Sequence, residues 1–102
     1  MIINFNREVN DFNDIIKKSD KVLVDFHAKW CGPCRMLGPV LEELSELRED
    51  VTILKIDVDK DPEIARAFNV SSIPTLFIFE NGNIKDSFLG YRNVEELNFL
   101  LK

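Results

Sequence analysis

The sequence predicts an α/β protein in which a central mixed sheet of five strands is flanked by four helices. In the first two thirds of the chain, apolar runs typical of buried strands alternate with segments of helical periodicity. This alternation favours parallel strands joined by helical crossovers. Nearer the end, two β-rich runs flank Asn81-Gly82-Asn83, which predicts an antiparallel hairpin because Asn and Gly both tolerate positive φ. The predicted order is β-α-β-α-β-α-β-β-α.

Three elements come first. Ile2–Phe5 is a short predicted strand, and Asp11–Lys18 is a predicted helix because its apolar residues recur at helical spacing. Val22–Ala28, opened by Lys21, is apolar on both faces, as expected of a central parallel strand. One acid, Asp25, interrupts this run, and burial there would raise its pKa by disfavouring the charged form.

A long helix, a strand and a short helix follow. The segment Met36–Leu47 carries leucines at helical spacing, and Pro39 is expected to kink this helix because proline lacks an N–H. Val51–Val58 is the next predicted strand. Asp61-Pro62-Glu63 predicts the start of the short helix, with an acid at the N-cap and proline at the first helical position.

The last third of the chain contains the hairpin and a final helix. Thr75–Glu80 and Ile84–Phe88 are the predicted strands of the hairpin. Asn93-Val94-Glu95-Glu96 resembles a capping box, which predicts a helix start. The apolar face of this helix consists of Val94, Leu97, Leu100 and Leu101.

The composition restricts the classes of function. A length of 102 residues predicts one domain spanning residues 1–102. The net charge of −5 argues against binding to nucleic acid, which requires neutralisation of phosphates. No run approaches the ~18 apolar residues of a membrane span, and no secretory signal is expected at the N-terminus. Both cysteines belong to one motif, which favours a reducing compartment such as the cytoplasm.

The motif Cys31-Gly32-Pro33-Cys34, directly after Trp30, is the strongest functional signal. A strand leads into it and a helix leads away, so Cys31 falls at or near a helix N-terminus, where the helix dipole lowers the pKa of a thiol. This indicates a dithiol–disulfide exchange site. A structural disulfide is less favoured because so short a loop gains little closure entropy. A zinc site would need two more ligands, and the chain contains no further Cys and only one His, His27, so no metal is expected.

These residues resemble the thioredoxin family, and the resemblance extends over essentially the whole chain. The matching segments are Val24–Cys34, Pro39, Lys55, Ser72-Ile73-Pro74-Thr75, Asn81-Gly82 and Gly90. The motif Trp-Cys-Gly-Pro-Cys, followed about forty residues later by Ile-Pro-Thr, is specific to the family, and its Gly-Pro dipeptide is associated with reducing members. His27 is a departure, since the family usually has an aromatic residue at this place.

The resemblance implies a fold, an activity and partners. The fold would be the thioredoxin fold, and the activity would be reduction of protein disulfides with no bound cofactor. Reducing equivalents would come from NADPH through a partner flavoprotein, a thioredoxin reductase. We also expect a monomer that serves electron transport and cell redox homeostasis in the cytoplasm. Composition and charge, as argued above, predict that it binds neither nucleic acid nor membrane.

Catalytic roles are expected for four residues. Cys31 is the expected nucleophile, exposed at the surface, and Cys34, one helical turn deeper, would resolve the mixed disulfide. Asp25 would accept the proton of Cys34, a role that the family assigns to the matching residue. Lys55 interrupts an apolar strand and is either the partner of Asp25 or a solvated lysine at a strand end.

Substrate contacts are expected around the cysteine pair, from Trp30, Gly32, Pro33, Ile73, Pro74 and Gly90. The resemblance implies a cis peptide bond before Pro74, which would leave the preceding backbone available to a target strand. His27 would either tune the site through its titration or serve packing alone.

Two other functions stay open at this point. The protein could be a binding module whose cysteines are incidental, and replacing both cysteines would test this. It could also be an oxidase or isomerase of an oxidising compartment, which a redox titration would reveal. The Gly-Pro dipeptide favours the reductase.

Overall fold

The computed structural model describes residues Met1–Lys102 and contains five strands and four helices in the predicted order. The strands are β1 (Ile2–Asn4), β2 (Lys21–His27), β3 (Val51–Asp57), β4 (Thr75–Glu80) and β5 (Asn83–Leu89). The helices are α1 (Phe12–Lys18), α2 (Gly32–Leu47), α3 (Pro62–Ala67) and α4 (Val94–Leu100).

The strands form one mixed sheet in the order β1-β3-β2-β4-β5. β2 is parallel to β3, which is parallel to β1, whereas β4 is antiparallel to both β2 and β5. The predicted five-stranded mixed sheet with four helices is therefore confirmed. Because β2 is hydrogen-bonded on both sides, the segment that leaves it toward α2 starts from a fixed position.

Two apolar layers cover the two faces of the sheet. Leu23 of β2 packs in the layer that contains the buried leucines of α2 and α4. Val24 and Phe26 of the same strand pack in the opposite layer with α1 and α3, because successive strand residues point to opposite faces. None of the four helices combines the length and apolar character required to cross a bilayer.

The element limits differ from the sequence predictions by a few residues. α2 begins at Gly32 rather than Met36, and it continues without interruption through Pro39. The earlier start is compatible with Pro33 because the first helical turn leaves its backbone N–H groups without partners in any case. β2 and β3 end at His27 and Asp57, each one residue earlier than predicted.

The side chain of Asp61 does not make the capping hydrogen bond that the sequence predicts for it, although the residue occupies the N-cap position of α3. Instead its Oδ1 accepts a hydrogen bond from Nη1 of Arg7 at 3.2 Å, in an ion pair that leaves Asp61 almost fully buried. The ion pair with a residue remote in sequence therefore replaces the local cap.

The predicted capping box at the start of α4 is present. The backbone N–H of Glu96 donates to Asn93 Oδ1 at 2.9 Å, and the backbone N–H of Asn93 donates to Glu96 Oε1 at 3.1 Å. These bonds supply partners to two N–H groups that the helix itself leaves unsatisfied.

Asn93→Ala should lower the free energy of unfolding by about 1 kcal/mol, the typical cost of removing an N-cap acceptor. Asn93→Ser keeps an acceptor at the same position and should lose much less. Urea unfolding of wild type and both variants at pH 7 measures the difference. An alanine variant as stable as wild type would show that the box does not stabilise α4.

Candidate active site

The two cysteines lie where the chain passes from the central strand into the longest helix. Cys31 is the N-cap residue of α2, and its Sγ accepts a hydrogen bond from the backbone N–H of Cys34 at 3.2 Å. The two residues form a disulfide, with their Cα atoms 5.2 Å apart. Gly32 and Pro33 form the intervening first turn, where Pro33 is exposed. The sulfur of Cys31 thus occupies the end of the helix that favours an anion.

The expectation that Cys31 is exposed while Cys34 is buried is wrong for this oxidised state. Their exposed fractions are 5% and 7%, so both are buried and Cys31 is not the more exposed of the two. The reason is a loop remote in sequence: Ile73 packs against the pair, and its carbonyl oxygen lies 3.8 Å from Cys31 Sγ. What distinguishes Cys31 is its N-cap position.

The loop before β4 forms one wall of the site. The Ile73–Pro74 peptide bond is cis, as the family resemblance implied. The backbone N–H of Gly90 donates to the carbonyl of Pro74 at 2.8 Å, and the hydroxyl of Thr75 donates to the carbonyl of Ser72. Gly90 has φ +87°, in the left-handed region that favours glycine. Ile73, Pro74 and Gly90 are therefore brought together beside the disulfide.

Exposed apolar side chains lie close in sequence to the cysteine pair and to Gly90. Trp30 is 68% exposed, and its Nε1 donates to Asp59 Oδ2 at 2.9 Å, which orients the ring. Met36, Leu89 and Tyr91 are also exposed. Apolar side chains left in water near a reactive pair are typical of a protein-binding surface.

Asp25 is the buried acid of the site. It is 1% exposed, and its Oδ1 has no hydrogen-bond partner. Since Asp25 follows Leu23 by two positions on β2, it faces the same layer as α2. Burial raises the pKa of Asp25 from 3.8 to about 7, and the positive charge of Lys55 opposes this rise.

Lys55 lies beside Asp25 in the sheet but makes no direct ion pair with it. The two residues are in register on β2 and β3, and Lys55 is half-buried rather than solvated at a strand end. All ion pairs within 4 Å involve other residues. Lys55 therefore influences Asp25 through its charge and not through a hydrogen bond.

A cavity of about 330 Å³ opens beside Cys34. It is lined by His27, Ala28, Lys29, Cys34, Arg35, Gly38 and Lys55. Partial burial lowers the pKa of His27, and the charges of Lys55 and Lys60 lower it further, while Asp57 opposes them. The sequence analysis did not single out Lys29 and Arg35, although each lies within two residues of a cysteine.

No group of three or more His, Cys, Asp or Glu side chains comes together in an arrangement that could hold a metal ion.

Comparison with known proteins agrees with this geometry. The family model described as Thioredoxin matches residues 4–102. The thioredoxin of Listeria monocytogenes is 54% identical over 78 residues, covering 76% of each chain. A bifunctional thioredoxin reductase/thioredoxin of Mycobacterium leprae is 53% identical over 79 residues, 74% of this chain and 17% of that protein. The solved structure of a mutant thioredoxin from Halobacterium salinarum superposes with a TM-score of 0.84 at 37% identity, covering 99% of this chain and 86% of that one.

The raised pKa of Asp25 predicts a pH-dependent stability. A raised folded-state pKa means that the folded state binds the proton more tightly than the unfolded chain does. The stabilisation from protonated Asp25 is complete below the unfolded value of 3.8 and is lost as pH rises through about 7. Asp25→Ala removes this loss, so it should be more stable than wild type at pH 8.

The stability gain of Asp25→Ala should grow from pH 5 to pH 8 by an amount on the order of 2 kcal/mol, at ~1.4 kcal/mol per pKa unit. Urea unfolding at both pH values measures it. Asp20→Ala removes an exposed acid and serves as the control, with an expected change within ~0.5 kcal/mol at pH 8. A gain for Asp25→Ala that is the same at both pH values would contradict the raised pKa.

Proposed function

The chain belongs to the thioredoxin family and reduces protein disulfides through its Cys31–Cys34 pair, and we propose a distinct role for each residue of the site. The observation that carries this proposal is the position of Cys31 at the N-cap of α2, where its sulfur accepts a backbone N–H. A hydrogen bond and a helix dipole both favour a thiolate at this sulfur. Cys34 lies inside the first turn and has no such position.

In the first step, the thiolate of Cys31 attacks one sulfur of the target disulfide. The S–S bond of the target breaks, a disulfide forms between Cys31 and the target, and the second target sulfur leaves as a thiolate that takes a proton from water. The N-cap position assists this step because a thiolate, not a thiol, is the nucleophile.

In the second step, Cys34 resolves the mixed disulfide. Its thiol must first lose a proton, and we assign Asp25 as the acceptor because a carboxylate with a pKa of about 7 can gain and lose a proton near neutrality. The Cys34 thiolate then attacks Cys31 Sγ, which releases the target sulfur that was bonded to Cys31 as a thiolate and forms the Cys31–Cys34 disulfide. The charge of Lys55 keeps the pKa of Asp25 from rising further.

The residues around the pair are proposed to hold the target segment. Neither the N–H nor the carbonyl of Ile73 has a backbone hydrogen-bond partner within the chain, so both are available to an added target strand. Pro74 and Gly90 fix the position of this backbone through their hydrogen bond. Trp30 offers apolar surface, and Gly32 leaves open space beside the sulfur, because a Cβ there would meet no atom within 4 Å.

The partner, location and assembly are also proposals. We infer that a flavoprotein thioredoxin reductase returns the pair to the dithiol with electrons from NADPH. The similarity to a protein that carries a thioredoxin reductase and a thioredoxin in one chain supports this. We place the protein in the cytoplasm, as a one-domain monomeric electron carrier in redox homeostasis, because both cysteines serve the one motif.

Cys34→Ser should trap target proteins as mixed disulfides on Cys31, because the resolving thiol is absent. Cys31→Ser should trap few, because the nucleophile is absent. Mass spectrometry of the complexes formed with an oxidised target such as insulin measures the difference. Equal trapping by both variants would contradict the assignment of the two sulfurs.

The activity is tested by reduction of insulin, followed as turbidity, with NADPH and a thioredoxin reductase as the source of electrons. NADPH should be consumed continuously only when this protein is present. The Cys31→Ser/Cys34→Ser double variant is the control and should support no consumption. If dithiothreitol sustains insulin reduction but the reductase does not, the proposed partner is wrong while the activity stands.

A further inference from the structure

The cavity beside Cys34 has a basic lining in an acidic protein. Lys29, Arg35 and Lys55 contribute three positive charges to it, and no Asp or Glu lines it. A fourth lysine, Lys60, acts on His27 from the adjacent loop. The chain as a whole has a net charge of −5, so this accumulation of positive charge is local.

The basic side chains of the cavity lack acidic partners. The ion pairs of the structure join Arg7 to Asp61, Lys18 to Asp14, Arg48 to Asp50, and Lys85 to Glu80. None of them involves Lys29, Arg35 or Lys55. Arg35 donates one hydrogen bond from Nη1 to the carbonyl of Lys29 at 2.9 Å, and its remaining N–H groups are free to bind an acceptor.

Acids on the elements around this cavity have other partners or are buried, and none forms an ion pair with its cations. Asp57 Oδ1 accepts backbone N–H groups of Asp59 and Lys60, and Asp59 Oδ2 accepts the indole N–H of Trp30. Asp25 is buried, and its raised pKa leaves it partly protonated at neutral pH. The cations therefore have hydrogen-bonding capacity that the protein itself does not use.

Because Cys34 lines the cavity, a group bound there lies next to the disulfide. A target joined to Cys31 is held at the sulfur that pairs with Cys34, and the Cα atoms of the two cysteines are 5.2 Å apart. A side chain next to the target cysteine is therefore within reach of the cavity. We propose that the cavity binds the carboxylate of an Asp or Glu beside the target cysteine, so that disulfides flanked by acidic residues are preferred substrates. This inference rests on the proposed function, since it assigns a target class to the same site.

The overall charge of the protein would produce the opposite preference. A chain of net charge −5 repels an acidic peptide and attracts a basic one at long range. A preference for acidic flanks therefore requires a local basic site. Three cyclic disulfide peptides, identical except for Glu, Gln or Lys on either side of the first cysteine, provide the probe. The rate of their reduction by the pre-reduced protein is measured in a single turnover.

Wild type should reduce the Glu peptide roughly fivefold faster than the Lys peptide at low salt, the scale of one partly exposed ion pair. High salt should diminish the preference because it screens exposed charges. Lys29→Gln/Arg35→Gln should abolish the preference, and Lys29→Glu/Arg35→Glu should reverse it. The readout is the ratio between peptides within one variant, so a general loss of activity does not affect it.

Lys17→Glu/Lys18→Glu is the matched control, because it changes the net charge by as much as Lys29→Glu/Arg35→Glu does. Both lysines are exposed on α1 and do not line the cavity. This variant should leave the Glu-to-Lys ratio near that of wild type. Equal rates for the three peptides, or a ratio that Lys17→Glu/Lys18→Glu shifts as much as Lys29→Glu/Arg35→Glu does, would overturn the inference. If no peptide is reduced at all, the proposed function itself fails.

Discussion

The chemistry of this protein depends on one junction, where the central strand β2 gives way to α2 and Cys31 caps the helix. β2 is bonded to β3 and β4, and α2 is anchored to the same sheet by Leu37, Leu41 and Leu44, which are fully buried. Because both elements are fixed, the sulfur of Cys31 stays at the positive end of the helix dipole. An anion-stabilising position is thus built into the backbone at Cys31.

The second constraint is that an acid must remain in the core near this junction. Asp25 makes its part of β2 less stable than an apolar residue would, because its Oδ1 has no hydrogen-bond partner and burial penalises its charge. A lysine in hydrogen-bonding contact would relieve the penalty but would also return the pKa toward its usual value. Lys55 is in register and yet not paired. The arrangement therefore keeps the pKa of the Asp25 carboxyl at about 7, and it does so at a cost in folding stability, as is common at functional sites.

The parts of the fold that depend on local patterns could be predicted from the sequence, and those that depend on remote contacts could not. The continuous apolar run of β2, the leucines of α2 and the capping box at Asn93 each involve residues close in the chain. The burial of Cys31 results from Ile73, which is 42 residues away. Likewise, the carboxylate of Asp61 pairs with Arg7, 54 residues away, instead of capping α3. Contacts between residues so far apart in the sequence leave no local pattern, so they can be predicted only when the topology is known.

The basic cavity illustrates the same limit for the candidate site, because Lys29, Arg35 and Lys55 come from a loop, a helix and a strand. Single lysines and arginines along an acidic sequence are expected to be solvated, and only the fold places these three around one space. Their local field can oppose the overall charge because exposed charges are screened over ~8 Å at physiological salt. Distant acids then contribute little at the disulfide, whereas the cations that line the cavity are close to it and are screened much less. Net charge therefore governs the solubility of this protein, while the few charges within one screening length of Cys34 govern which targets it meets.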